Sequence, residues 1–367
     1  MGAGLERGMR VAILERETFY TDGNGSDRRL HLIADLIAGR GHSVIFYCTQ
    51  WWDGENREKI HNKVKYCAVT DDREDPEWKF IAQLPSKIKE FNPDLMLVDG
   101  TDYALTIASK MISSVQRKPL MADFYKGVEM KISGKWKYKF VLNLPDLIVV
   151  PSELVLTNLV ESGCKIGLIR QIPSPIDIEK IENIKPMQWQ KDRKEVKNIV
   201  YSRFLDEDAN IESLFLGLAQ IRDVEWNAVV IGDGKLKSEY ERQAKDFRIS
   251  DRVKFLGEIP IEEKIAIFKG AHICVHTATK SASPKDFLLA LACGCVGIAE
   301  YHTNSSAHEF IKFKNRGFRT TESDKLHLVI RQAMELPKKE IEEGYFAFGN
   351  ERFTETYINF IRELIEK

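Results

Sequence analysis

Residues 231–276 read IGDGKLKSEYERQAKDFRISDRVKFLGEIPIEEKIAIFKGAHICVH. An apolar run, Asn227–Ile231, ends on Gly232-Asp233-Gly234. A helix rich in Lys and Glu follows, then the run Val253–Leu256, a short helix over Glu262–Lys269, and the run Ile273–His276. Short apolar runs separated by helix-length amphipathic segments are the signature of a parallel sheet covered by helices.

The same alternation extends outward. Asn198–Tyr201 precedes the stretch and Val296–Ala299 follows it. In the amino-terminal half the expected strands are Val11–Leu14, Val44–Tyr47, Leu95–Val98, Leu120–Ala122, Leu147–Val150 and Leu168–Ile172, with a helix over Arg28–Ala38 ending at Gly39. Between the halves, Pro173–Lys197 holds three prolines and many charges but no buried-strand run. The expected fold class is therefore α/β, with two Rossmann-like, doubly wound domains facing a central cleft. Their bounds are 9–173 and 198–350, joined by 174–197. A closing helix over about Glu355–Lys367, within 351–367, is expected to pack back on the first domain. Ligands of such sheets bind outside the carboxyl ends of the strands.

Composition narrows the function. A chain of 367 residues suits two domains of about 150–200 residues each, and 43% hydrophobic residues supply two cores. Charged residues make up 30% yet net only −1, which argues against nucleic acid as a partner. No run reaches the roughly 18 apolar residues of a membrane span, and MGAGLERGMR lacks the apolar core of a secretory signal. A cytoplasmic location follows, with peripheral contact at the inner membrane face left open. The six cysteines fit no zinc spacing, since Cys293-x-Cys295 has no nearby second pair, so no metal site is expected.

Two loops present glycine after a strand. Gly23-Asn24-Gly25 precedes the first helix, where backbone amides and the helix N-terminus favour an anion, or where a plain turn suffices. Gly232, Asp233 and Gly234 either set backbone amides beside a nucleotide or form a tight turn into the next helix.

The order and spacing of these features resemble the retaining GT-B glycosyltransferases related to glycogen and sucrose synthases. The donor-domain core of that family has a strand ending in G-D-G, a helix, D-R-V-x-F-L-G, a short helix and a strand. LLALACGCVGIAEY from Leu288 resembles its next helix and strand, and SRFLDEDANIESLFLGLAQI its first loop and helix. The amino-terminal half agrees through GNGS, RGHSVIF, FNPDLMLVD and LIVVPSE, and IPSPIDIEKI stands at the interdomain link. The resemblance implies a nucleotide-diphosphate sugar donor (a UDP- or GDP-sugar), retention of configuration, and no required metal or other cofactor. The acceptor is left open among a glycan, a lipid and a small molecule, and a partner glycosyltransferase is left open too.

The charged positions depart from the family pattern. The two family glutamates that contact sugar and ribose fall on Ser281 and Leu289, and the phosphate lysine falls on Ala209. Arg203 matches the family arginine and is the expected diphosphate ligand, with an ion pair to the DEDAN run as its alternative role. Lys280, Lys285 and Lys235 are substitute cations or solvated lysines. Ser305, Ser306 and Glu309 either bind phosphate and sugar hydroxyls or cap a helix. Asp99, with Asp102 beside it, either orients sugar and acceptor or is a turn aspartate. The basic, aromatic DFYKGVEMKISGKWKYKF lines the acceptor side, meets an anionic lipid headgroup, or is a solvated loop. Trp51 and Trp52 either stack on a sugar or pack in the core, and core packing is the role assigned to them. Under the enzyme reading Asp99, Arg203 and Glu309 carry catalysis. A catalytically silent relative serving as a binding or partner subunit is the reading from another class, supported by Ser281, Leu289 and Ala209. A sugar-nucleotide epimerase is the third.

Overall fold

A computed structural model describes residues 8–16, 29–71, 75–125, 135–188, 196–312 and 316–367. They form two compact units, one running to Pro173 and including Glu351–Lys367, the other spanning Ser174–Asn350.

The first unit holds an eight-stranded sheet. Its elements are β1 (Arg10–Leu14), α1 (Arg29–Gly39), β2 (Ser43–Thr49), β3 (Glu58–His61), β4 (Val64–Thr70), α2 (Glu77–Phe91), β5 (Leu95–Asp99), α3 (Tyr103–Gln116), β6 (Leu120–Asp123), α4 (Lys135–Leu142), β7 (Leu147–Val150), α5 (Glu153–Glu161) and β8 (Ile169–Gln171). The strand order is β3-β4-β2-β1-β5-β6-β7-β8, parallel except for the β3–β4 hairpin. Central strands such as β5 and β7 are buried along their whole length, as two-sided cover by helices requires. Helix starts are fixed locally: Asp102 Oδ1 accepts from Leu105 N at 2.9 Å, and Ser152 Oγ from Val155 N at 3.4 Å. Such caps satisfy amides that have no partner inside the helix.

The hairpin is absent from the sequence expectation. Its turn, Asn62–Lys63, has φ of 47° and 69°, the left-handed pair that matches strand twist. Trp51 packs edge-on against Trp52 and Tyr66.

The second unit contains α6 (Ile178–Asn183), β9 (Lys197–Ser202), α7 (Ile211–Ala219), β10 (Trp226–Ile231), α8 (Lys237–Asp246), β11 (Val253–Gly257), α9 (Ile261–Gly270), β12 (Ile273–His276), β13 (Lys280–Ser281), α10 (Lys285–Ala292), β14 (Val296–Glu300), β15 (Asn304–Ser305), β16 (Gly317–Thr320) and α11 (Leu326–Glu335). Six strands form a parallel sheet in the order β11-β10-β9-β12-β14-β16, and β13 pairs with β15 alone.

The start of 174–197, expected to be a bare connection, is built into this unit. Ile176 and Ile181 are buried beside Ile265 and Phe268. Lys269 Nζ donates to the carbonyls of Ile181 and Ile184 at 2.8 and 2.6 Å. The prolines and charges of that stretch mask two isoleucines that anchor it.

The closing helix runs Asn350–Ile365, starting five residues before the expected Glu355. Phe353, Tyr357, Ile361 and Leu364 share one face and enter the core of the first unit with Val11, Ile13 and Leu30. Beneath it lies a buried polar knot. Arg29 Nε donates to both oxygens of Asp123 at 3.1 and 3.0 Å, its Nη2 donates to Ile172 O at 2.8 Å, and Tyr357 Oη donates to Asp123 Oδ2 at 3.2 Å.

Candidate active site

In the second unit the chain winds outward in two directions from the middle of the sheet. β9, β10 and β11 run one way; β12, β14 and β16 run the other. The switch between β9 and β12 is where a crevice opens at the strands' carboxyl ends. Ser202 ends β9 there with Arg203 next after it, and His276 ends β12.

Arg203 is held on two sides. Its Nη1 donates to Lys280 O at 2.8 Å and its Nη2 lies 3.4 Å from Asp206 Oδ1. Its Nε has no protein partner among the described residues, and the side chain is 19% exposed. Both roles weighed for Arg203 are thus compatible: it pairs with the acidic run and keeps donor capacity.

The Gly232-Asp233-Gly234 turn packs against the Arg203–Leu205 backbone. Arg203 N donates to Ile231 O at 3.0 Å and Leu205 N to Asp233 O at 2.8 Å. Gly232 has φ of +129°, and a Cβ there would lie 1.9 Å from Arg203 O; at Gly234, with φ of +155°, it would lie 2.4 Å from Leu205 O. No side chain fits such an approach. The amides expected to face a nucleotide are already engaged: Gly232 N donates to Gly257 O at 2.9 Å and Gly234 N to Asp233 Oδ1 at 2.8 Å. That bond from Gly234, ahead of the neighbouring Lys237, holds the Asp233 carboxyl below its ordinary pKa. The turn is a packing device that positions the arginine.

Ser306 is likewise engaged by backbone, unlike the ligand-binding hydroxyl expected of it. Its amide donates to Ser281 O at 2.8 Å, and the single hydrogen of its hydroxyl is shared between Ser281 O at 3.1 Å and Ala282 O at 3.0 Å. It staples the 280–283 loop. Ser305 is fully buried, its Oγ without a partner among the described residues. Glu309 sits in a four-residue 3-10 turn, Ala307–Phe310, not at the opening of an α-helix, so the row of helix amides expected there is missing. Lys280 lends its carbonyl to Arg203, Lys285 opens α10, and Lys235 pairs with Glu207 at 2.6 Å. Ala209 and Leu289, at the family's lysine and second glutamate positions, are core residues at 0% and 3% exposure. Neither site admits a charge without repacking.

A carboxylate absent from the expected set stands in this crevice. Asp286, one helical turn before Leu289, accepts through Oδ2 from Ser202 Oγ at 2.6 Å and from Lys264 Nζ at 3.2 Å. Burial disfavours the Lys264 charge, but Asp286 and Glu258 outweigh it and raise the pKa. Among the described residues, the printed contacts of Asp286 all fall on Oδ2, leaving Oδ1 without a protein partner there. The i, i+3 spacing to Leu289 was the available signal; the link to Lys264 was not readable.

Ser202, Asp286 and His276 also line a small cavity of about 10 Å³ floored by Val200, Phe268 and Ala290, roughly the space of one water. His276 is 5% exposed and its Nδ1 has no partner among the described residues. Burial, with Arg203 adding to it, pushes its pKa down to about 3, and burial takes His272 down to about 4. Below pH 6.5 the unfolded chain binds protons that these folded imidazoles refuse, so stability falls as the pH drops. The stability of the second unit against thermal unfolding should fall by a few kcal/mol, order of magnitude, between about pH 6.5 and pH 4, and His276→Gln should flatten that slope.

In the first unit Asp99 ends β5 at 4% exposure. Its Oδ1 accepts from Thr101 N and Thr101 Oγ1 at 2.9 and 2.6 Å, the geometry of a turn aspartate. Burial pushes Asp102 up to about 6, with Glu77 and Asp99 adding to the rise. Glu15, at the end of β1, accepts a 2.5 Å bond from Tyr125 Oη, and His31 Nε2 lies 3.9 Å from its other oxygen. Glu15, His31 and Arg29 stand outside the expected site residues, and Asp123 enters them only as the first residue of the basic, aromatic stretch. A charged residue closing an apolar run, AILE and LMAD, was the signal for Glu15 and Asp123. Gly23, Asn24 and Gly25 lie outside the described residues.

Comparison with known proteins gives a consistent picture. Residues 182–345 match the profile of Glycosyl transferases group 1, and residues 23–180 that of Glycosyltransferase Family 4. Alpha-monoglucosyldiacylglycerol synthase of Streptococcus pneumoniae (strain ATCC BAA-255 / R6) is 22% identical over 337 residues, covering 84% of this chain and 74% of that protein. Among solved structures, sucrose-phosphate synthase from Thermosynechococcus elongatus superposes with a TM-score of 0.79 at 16% identity, over 98% and 99% of the two chains. A glycosyltransferase from Rickettsia africae ESF-5 gives 0.81 at 14% identity, over 98% and 100%. HepE of Anabaena, solved with UDP and glucose, gives 0.74 at 16% identity, over 97% and 100%.

Proposed function

Because this chain belongs to the group 1 glycosyltransferases of GT-B fold, with a family 4 glycosyltransferase domain preceding the group 1 domain, we propose that it transfers a sugar from a UDP- or GDP-sugar to an acceptor hydroxyl. Configuration at the anomeric carbon is retained and no metal is required. The observation that carries this reading is Arg203 at the β9–β12 switch, fixed by Lys280 O and Asp206 with its Nε uncommitted. When the bond to the diphosphate breaks, negative charge builds on the departing oxygens. A pre-oriented guanidinium stabilises that charge more than it stabilises the ground state.

Asp286 supplies the carboxylate that Ser281 and Leu289 lack. Its Oδ2 is fixed by Ser202 and Lys264, leaving Oδ1 to accept a donor hydroxyl. Lys280, Lys285 and the 280–283 loop complete the donor side, and Gly23–Gly25 the phosphate side. Asp99 positions the acceptor indirectly, through Thr101. HepE was solved with UDP and glucose, which favours a UDP-sugar. The relative named as a glucolipid synthase makes a diacylglycerol lipid the acceptor to test first. No described helix is long and apolar enough to cross a membrane; a cytoplasmic protein in peripheral contact with the inner membrane face fits that acceptor. Ala209 and Leu289 support the second reading, a silent partner subunit that binds without turnover.

Mass spectrometry of the protein with UDP- and GDP-sugars and a lipid, glycan and small-molecule acceptor panel tests the proposal. The expected result is a product heavier by one glycosyl unit, whose anomeric proton coupling in NMR matches the donor's configuration. Donor binding without hydrolysis or transfer across the panel would move the case to the silent partner.

A further inference from the structure

The first unit carries an exposed apolar stripe that packing does not require. On α3, Ile107, Met111 and Val115 recur every four residues, on one side of the helix, and are 39%, 67% and 85% exposed. α3 buries its other face through Leu105, Ser109 and Ile112. The neighbouring α4 adds Phe140 at 64% exposure. Scattered exposed apolar residues are ordinary, but a stripe of them on adjacent helices marks a contact surface.

Charge identifies the partner. Residues 103–142 hold eight basic and two acidic residues, a net of +6 in a chain whose total is −1. One of those acids, Asp123, is fully buried and paired with Arg29, and one of the cations, Lys110, is paired with Asp146 at 2.8 Å. Arg117, Lys118 and Lys139 flank the stripe in sequence, and Arg117 and Lys139 are exposed. Apolar side chains bordered by lysine and arginine match a bilayer interface with anionic headgroups, where the apolar groups enter the acyl boundary and the cations meet the phosphates. A second protein would need an apolar surface with matching acidic groups; an anionic membrane supplies both at once.

We propose that the α3 stripe, Ile107, Met111 and Val115, together with Phe140 of α4 and the basic residues Arg117, Lys118 and Lys139, docks the protein on an anionic membrane surface. This deepens the peripheral-membrane part of the proposed function. The docking assay contains no donor sugar, so its failure and a failure of glycosyl transfer are read separately.

The test is co-sedimentation of the full chain with phosphatidylcholine vesicles, with and without phosphatidylglycerol. Binding to the anionic vesicles should be at least about tenfold stronger and should weaken as salt shortens the reach of the charges. Met111→Glu with Val115→Glu, which keeps one good helix former in place of another at position 111, should lower binding by about tenfold or more. Lys118→Glu with Lys139→Glu, at separate positions, should erase the preference for phosphatidylglycerol; a folding failure in one pair leaves the other informative. Equal partition to both vesicle types would overturn the proposal. So would wild-type binding by both variant pairs, or a lipid-free dimer that Met111→Glu dissociates.

Discussion

Arg203→Ala is expected to weaken nucleoside-diphosphate binding by about 10²-fold and to lower sugar transfer by about 10²–10³-fold. A hydrogen bond to a charged group contributes about 1.5–3 kcal/mol, and a bidentate contact to phosphate makes two. The loss should be large because few cations share the task. Ala209 fills the place of the family lysine and is buried against Tyr201, whose Oη donates to Ala209 O at 2.6 Å. Lys235 already pairs with Glu207. Arg203→Lys should recover only part of the loss, because an ammonium cannot reproduce the fork held between Lys280 O and Asp206. Calorimetry with UDP or GDP reads the affinity and product formation reads the transfer. An unchanged affinity in Arg203→Ala would remove the arginine from the donor site.

The second large effect is on stability. Asp123→Ala should cost about 3–5 kcal/mol, because it strands Arg29, which is 3% exposed and has Asp123 as its ionic partner. The cost comes from the stranded charge and not from a large intrinsic worth of the pair. Replacing both residues together, Arg29→Met with Asp123→Leu, should therefore restore much of the loss. Tyr357→Phe removes one neutral donor and should cost about 0.5–1.5 kcal/mol. The transition that reports on the first unit in urea is the measurement. A shift below about 1 kcal/mol for Asp123→Ala would mean that Arg29 finds water or another acceptor.

The fold was legible where burial on both faces leaves a continuous apolar run. ICVH at β12 and LIVV at β7 coincide with the expected strands residue for residue, and LMLV at β5 falls short only by Asp99. EKIH at β3 was not legible, since alternate residues face solvent and two of the four are charged. β16 has only four residues, with one of them exposed. β13 and β15 are two residues each and exist through their mutual pairing, which no local pattern announces.

The site was less legible than the scaffold, for a physical reason. Residue type shows what a group can offer, but its remaining capacity depends on partners distant in sequence. Ser306 reads as a free hydroxyl until its bonds to Ser281 O and Ala282 O are known. Gly232 reads as an open amide until Gly257 O takes it. Asp286 reads as an ordinary first-turn carboxylate until Ser202, 84 residues away in sequence, and Lys264 turn it into a fixed acceptor.

The central claim is that the second unit binds a nucleotide-diphosphate sugar through Arg203. Calorimetric titration of the full chain with UDP- and GDP-sugars, run beside Arg203→Ala, tests it most directly. The expected result is saturable one-site binding of at least one donor by the wild-type protein, with affinity reduced by about 10²-fold in the variant. No binding of any donor by the wild-type chain, or equal affinity in the two proteins, would contradict it.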